Sequence, residues 1–153
     1  MEFLKYIFLI IFSLNVKASN IEGLNYFKTN KECSYKSSFL FLKKDQVPKI
    51  TPRIIPRYMI SCNDKKLRGF ILGDKIRTHY QKVFFVINNT KIKHLEIIKF
   101  DEPEKYLPPR KWVDYALINK ELPLKKIDGI SGATLTTSSL KRMIQTINNI
   151  KEL

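Results

Sequence analysis

At 153 residues with 44% apolar content, the chain is long enough for one buried core and too short for two independent folds. Lysine and arginine outnumber the acids 28 to 14, and the resulting net charge of +14 suits an anionic partner. The basic residues are scattered along the chain rather than gathered on one helix or interleaved with aromatics, which argues against a nucleic-acid platform; no nucleic acid is expected as a partner.

Lys5 precedes an apolar run from Tyr6 to Val16, and Val16-Lys17-Ala18 resembles a small-residue cleavage site, so residues 1–18 read as a signal peptide ending at Ala18. The run is short for a bilayer span and no cysteine follows it to carry a lipid. The mature chain is therefore expected to be exported, periplasmic or peripheral to the membrane, with no stable span of its own. It keeps 26 basic against 13 acidic residues once Glu2, Lys5 and Lys17 are gone, a net charge of +13. Residues 19–66 read as an N-terminal extension with a short apolar run at Phe39 to Leu42. Its two cysteines, in an exported chain, suit one disulfide between Cys33 and Cys62. Pro48, Pro52 and Pro56, four residues apart, make Val47 to Arg57 an extended connector or an edge segment.

Tyr58 to Cys62 and Leu67 to Leu72 have strand character around a turn at Asn63-Asp64-Lys65-Lys66. Lys82 to Asn88 and Lys91 to Phe100 form a second predicted hairpin around Asn88-Asn89-Thr90, with one face buried. The prolines between Asp101 and Arg110 predict a loop, and Trp112 to Leu117 a short helix. From Thr136 onward, hydroxyl residues able to cap a helix precede Leu140, Met143, Ile144, Ile147 and Ile150 at helical spacing, with Lys141, Arg142 and Gln145 off that stripe. The expected class is α+β: a mainly antiparallel sheet with a few packed helices, one of them C-terminal, in a single domain over residues 67–153.

Ahead of that last helix stands Asp128-Gly129-Ile130-Ser131-Gly132-Ala133-Thr134-Leu135-Thr136-Thr137. Gly132 and Ala133 let an anion approach the main chain, and the free N–H groups of the following helix would point at it, so the segment is suited to a phosphate. As a bare string it reads equally well as a small-residue turn. Its flanks distinguish it: Asp128, the branched Ile130 and the hydroxyl-rich tail follow the pattern D-x-x-[ST]-G-A-T. Upstream lie, in order, Gly69-Phe70-Ile71, Asp74, Tyr80, Val83 to Ile87, Lys91 to Ile98, Glu102-Pro103 and Trp112. Together these resemble the FMN-binding domain family, which includes peripheral flavin subunits of Rnf and Nqr complexes and the flavin domain of NosR-like regulators.

The resemblance implies a covalent FMN cofactor, joined by a flavin transferase through a phosphoester to Thr134, with Asp128 in the signature that the transferase reads. It implies that Ser131, Gly132, Ala133, Leu135 and Thr136 line the phosphate and ribityl chain. Trp112, Tyr106 and Leu107 are the nearest candidates for the flavin ring, and Glu102 matches the family pattern in type. Glu104-Lys105-Tyr106-Leu107 stands where a second glycine-rich approach is common. His79 and His94 carry no ligand spacing, so neither a metal nor a catalytic residue is assigned. Nucleophile elbow, P-loop and nicotinamide-binding glycine motifs are all missing from the sequence. The implied function is electron shuttling between redox protein partners, membrane-bound or acidic cytochromes among them, rather than stand-alone enzymatic turnover. Two other readings stay open: a small flavin-dependent reductase of a soluble acceptor, and a non-redox basic envelope-binding protein that keeps the motif only as a turn.

Overall fold

The computed structural model describes residues 21–44, 53–124 and 126–150. The expected signal peptide, Pro48 and Pro52 lie outside the described residues. Five strands, β1 (Cys33–Phe41), β2 (Ile54–Cys62), β3 (Lys65–Ile76), β4 (His79–Asn88) and β5 (Lys91–Phe100), form one antiparallel sheet in the order β1-β2-β3-β4-β5. Helices α1 (Asn25–Thr29), α2 (Arg110–Ala116) and α3 (Thr134–Asn149) pack around it, giving the expected α+β class.

β2–β3, β3–β4 and β4–β5 are joined by the two-residue turns Asn63-Asp64, Arg77-Thr78 and Asn89-Thr90. The first residue of each is left-handed, with φ of 50°, 52° and 51°. Asparagine takes that conformation readily and arginine does not. No turn residue marks Arg77-Thr78, so the sequence reading ends one strand at Leu72 and starts the next at Lys82; in the structure both run on to meet at the turn.

Pro56 lies inside β2 rather than in a connector. Leu42 N–H donates to Arg53 C=O at 2.7 Å, so alternation along the ladder makes Phe39 and Pro56 a non-hydrogen-bonded pair. The proline nitrogen therefore points toward β3, whose pairing with β2 begins only at Arg57, opposite Phe70. The missing N–H therefore removes no hydrogen bond from the β1–β2 ladder.

Both faces of the sheet are covered. Phe70, Leu72, Val83, Phe85 and Ile87 pack with Leu140, Met143, Ile144 and Ile147 of α3 and Val113 of α2. Tyr58, Ile60, Phe84 and Val86 on the opposite face pack with Ile21, Tyr26 and Phe27 around α1. Val83 to Ile87 are all at 0% exposure, which is why this stretch of β4 reads as a continuous apolar run rather than an alternation. The expected boundary at residue 66 falls at the start of β3, and the sheet runs across it. Cys33 and Cys62 face each other across β1 and β2 and are joined by a disulfide. Along the outer edge of β5, Asn119 N–H donates to Ile92 C=O at 2.7 Å and Leu122 N–H to Thr90 C=O at 2.6 Å, so the chain after α2 covers that edge.

An ion pair fixes α3 to the sheet. Asp74 of β3 is 2% exposed, and its Oδ2 accepts from Arg142 Nε of α3 at 2.9 Å while Oδ1 accepts from Lys75 N–H at 2.9 Å. Arg142 lies off the apolar stripe but bends back onto β3.

Candidate functional site

α3 begins at Thr134, ahead of the hydroxyl residues expected to cap it. Its N-cap is Ala133, and no side chain caps it. The Thr137 hydroxyl, one of those expected to cap the helix, turns inward: its Oγ1 donates to Ala133 C=O at 3.0 Å and accepts from Ile130 N–H at 3.4 Å. The first turn of α3 thus keeps its N–H groups and the positive end of its dipole open to an anion. Gly132 is left-handed, with φ of 80°, and a Cβ there would meet nothing within 4 Å. The glycine serves the backbone turn that aims the chain into α3, rather than relieving a crowded contact.

Thr134 is the first helical residue and is exposed, so its hydroxyl is accessible from outside. Beside it opens a cleft of about 260 Å³ lined by Gly132, Ala133, Thr134, Leu135 and Thr136 on one side and by Ile76, Arg77, Glu102 and Tyr106 on the other. Thr136 is buried, whereas Leu135 is 44% exposed and offers an apolar wall. Tyr106 is half-buried, with the Lys105 ammonium 5.0 Å from its ring centroid. The Glu102 side chain is 8% exposed; its Oε1 lies 3.4 Å from His79 Nδ1 and makes no hydrogen bond.

Seven of the residues expected from the sequence therefore meet in one place: Glu102, Tyr106, Gly132, Ala133, Thr134, Leu135 and Thr136. Ser131 and Asp128 are exposed and lie outside the cleft lining, with Asp128 Oδ1 3.3 Å from Lys126 Nζ. Leu107 is exposed beside the cleft without lining it. Trp112 packs from α2 against the main core, the ordinary place of a lone tryptophan. Ile76 and Arg77 belong to the site and are not among the residues expected. They come from the end of β3 and its turn, where no residue type marks a hairpin.

Neither histidine is arranged as a ligand. His94 is largely buried beside Tyr26, and its Nε2 pairs with Glu96 Oε2 at 3.2 Å. Burial holds its pKa below the usual histidine value, against the opposing pull of Glu96. Among the described residues no group of His, Cys, Asp and Glu could hold a metal ion, and no helix is long and apolar enough to cross a membrane.

Residues 80–148 match the sequence model of the FMN-binding domain. The matched span runs from β4 through α3 and holds every cleft residue except Ile76 and Arg77. No curated protein and no solved structure matches the chain.

Proposed function

We propose that this chain, whose residues 80–148 form an FMN-binding domain, carries its FMN covalently through a phosphoester to Thr134 and serves as an exported electron carrier between redox proteins. The observation that carries this reading is the exposed Thr134 hydroxyl at the uncapped start of α3, opening on a cleft with apolar and cationic walls. The residues present fit the group. The N–H groups and dipole of α3 offset the phosphate charge, and the Gly132 turn directs the chain so that those groups face outward. Ile76, Leu135 and the Tyr106 ring offer apolar surface for an aromatic system. FMN, when bound, supplies one- and two-electron redox chemistry, which the protein tunes through orientation and local charge.

Two further features support the carrier reading. The net charge of +13 that remains once residues 1–18 are removed would speed encounter with an acidic partner such as a cytochrome. The Cys33–Cys62 disulfide suits an oxidising compartment outside the cytoplasm, where covalent attachment also prevents loss of the cofactor by diffusion. Peptide mapping of protein matured by a flavin transferase tests the attachment: flavin fluorescence and added mass belong on the peptide containing Thr134, and flavin on any other residue contradicts the reading.

A further inference from the structure

We propose that Arg77 is the phosphate-binding cation of this site, its guanidinium pairing with the phosphate group of the flavin at the start of α3. The inference rests on the FMN reading above and extends it to a residue that lies outside the matched domain span.

Three two-residue turns in this sheet begin with a left-handed residue, and two of the three use asparagine: Asn63 with φ of 50° and Asn89 with φ of 51°. The third, Arg77 with φ of 52°, puts a long side chain where the backbone disfavours one. It is also the turn that borders the cleft. A conformational cost accepted at one of three equivalent turns, and only at the one facing the site, points to a task for the side chain.

The electrostatics identify the task. Arg77 is the one cation on the cleft lining, is exposed, and makes no ion pair or hydrogen bond among the described residues. Among the described residues the one carboxylate on the lining is that of Glu102, whose side chain is 8% exposed and stands beside His79 without pairing with Arg77. The guanidinium is therefore available to an anion from outside, and the uncapped start of α3 lines the same cleft. A guanidinium fork and a row of helix N–H groups are complementary ways of binding one phosphate, the first by paired charge-assisted hydrogen bonds and the second by the helix dipole.

The test uses Arg77→Asn and Arg77→Lys in the full chain. Asparagine suits the turn, so Arg77→Asn is expected to melt at or above the wild-type temperature. With a fixed amount of flavin transferase, it is expected to gain flavin mass about tenfold more slowly, the effect of one lost charge-assisted pair. In the flavin-loaded protein its ³¹P resonance should move away from the wild-type position, with Arg77→Lys between the two. An unmoved ³¹P resonance in Arg77→Asn would overturn the proposal even if uptake slowed, since slow uptake alone could come from contact with the transferase. A melting temperature below wild type would remove the conformational premise and overturn it too. A wild-type chain that takes up no flavin at all would instead strike the FMN reading, so the two failures are distinguishable.

Discussion

Replacing Arg142 by methionine should cost the fold about 3 kcal/mol, near the lower end of the range for breaking a buried ion pair by removing one partner. The magnitude follows from the two ends of the pair. The Asp74 side chain is 3% exposed, and losing the guanidinium leaves it, among the hydrogen bonds between described residues, the Lys75 N–H donating to Oδ1, too little to compensate a buried charge. Arg142 is 31% exposed, so part of the pair is already solvated, which holds the cost toward the lower end. Methionine preserves helix propensity and side-chain length, so the loss reports on the pair rather than on α3 itself. Urea unfolding should show a lower midpoint with an unchanged slope. Replacing both partners, Asp74→Leu with Arg142→Met, should restore stability to within about 1 kcal/mol of wild type, because no buried charge remains. An Arg142→Met loss under about 1 kcal/mol, or a double variant as unstable as the sum of the singles, would refute this account of how α3 is held to β3.

Stability should also depend on His94. Its pKa is lowered in the fold, first by burial, so the unfolded chain binds a proton that the folded one resists. The contribution is complete above the unfolded value of about 6.5 and is lost as the pH falls through the folded value. Melting curves between about pH 7.5 and pH 5 should therefore fall less steeply in His94→Gln than in wild type, and equal slopes would rule the contribution out. Gly132→Ala should cost about 1 kcal/mol although the space is open, because the left-handed backbone alone opposes a Cβ. Gly132→Asn should cost less, and equal thermal shifts for the two would show that conformation is not the cause.

What the sequence made legible and what it hid divide along physical lines. The apolar stripe of α3 is a periodic pattern and the middle of β4 a continuous apolar run, and the buried positions Leu140, Met143, Ile144 and Ile147 follow the first of them directly. The small-residue turn before α3 also carries its chemistry in its residue types, and its cleft residues 132 to 136 assemble as a unit. Pro56 left connector and edge segment both open, and the second holds there, because a proline's compatibility with a strand depends on which ladder position it occupies, a property of register rather than of composition. Arg77 is hidden for a related reason: its place in the site comes from a left-handed turn with no turn residue, visible only once β3 and β4 are paired. The covering of the second face by α1 rests on Ile21, Tyr26 and Phe27, too few positions for a periodic signal.

The central claim is that Thr134 bears the flavin, and the most direct measurement is the intact mass and visible absorbance of exported protein co-produced with a flavin transferase, wild type beside Thr134→Ala. The account predicts a yellow wild-type protein heavier by one FMN less one water and a colourless, unmodified Thr134→Ala. A colourless, unmodified wild type, or a Thr134→Ala variant that still gains the flavin, would contradict it.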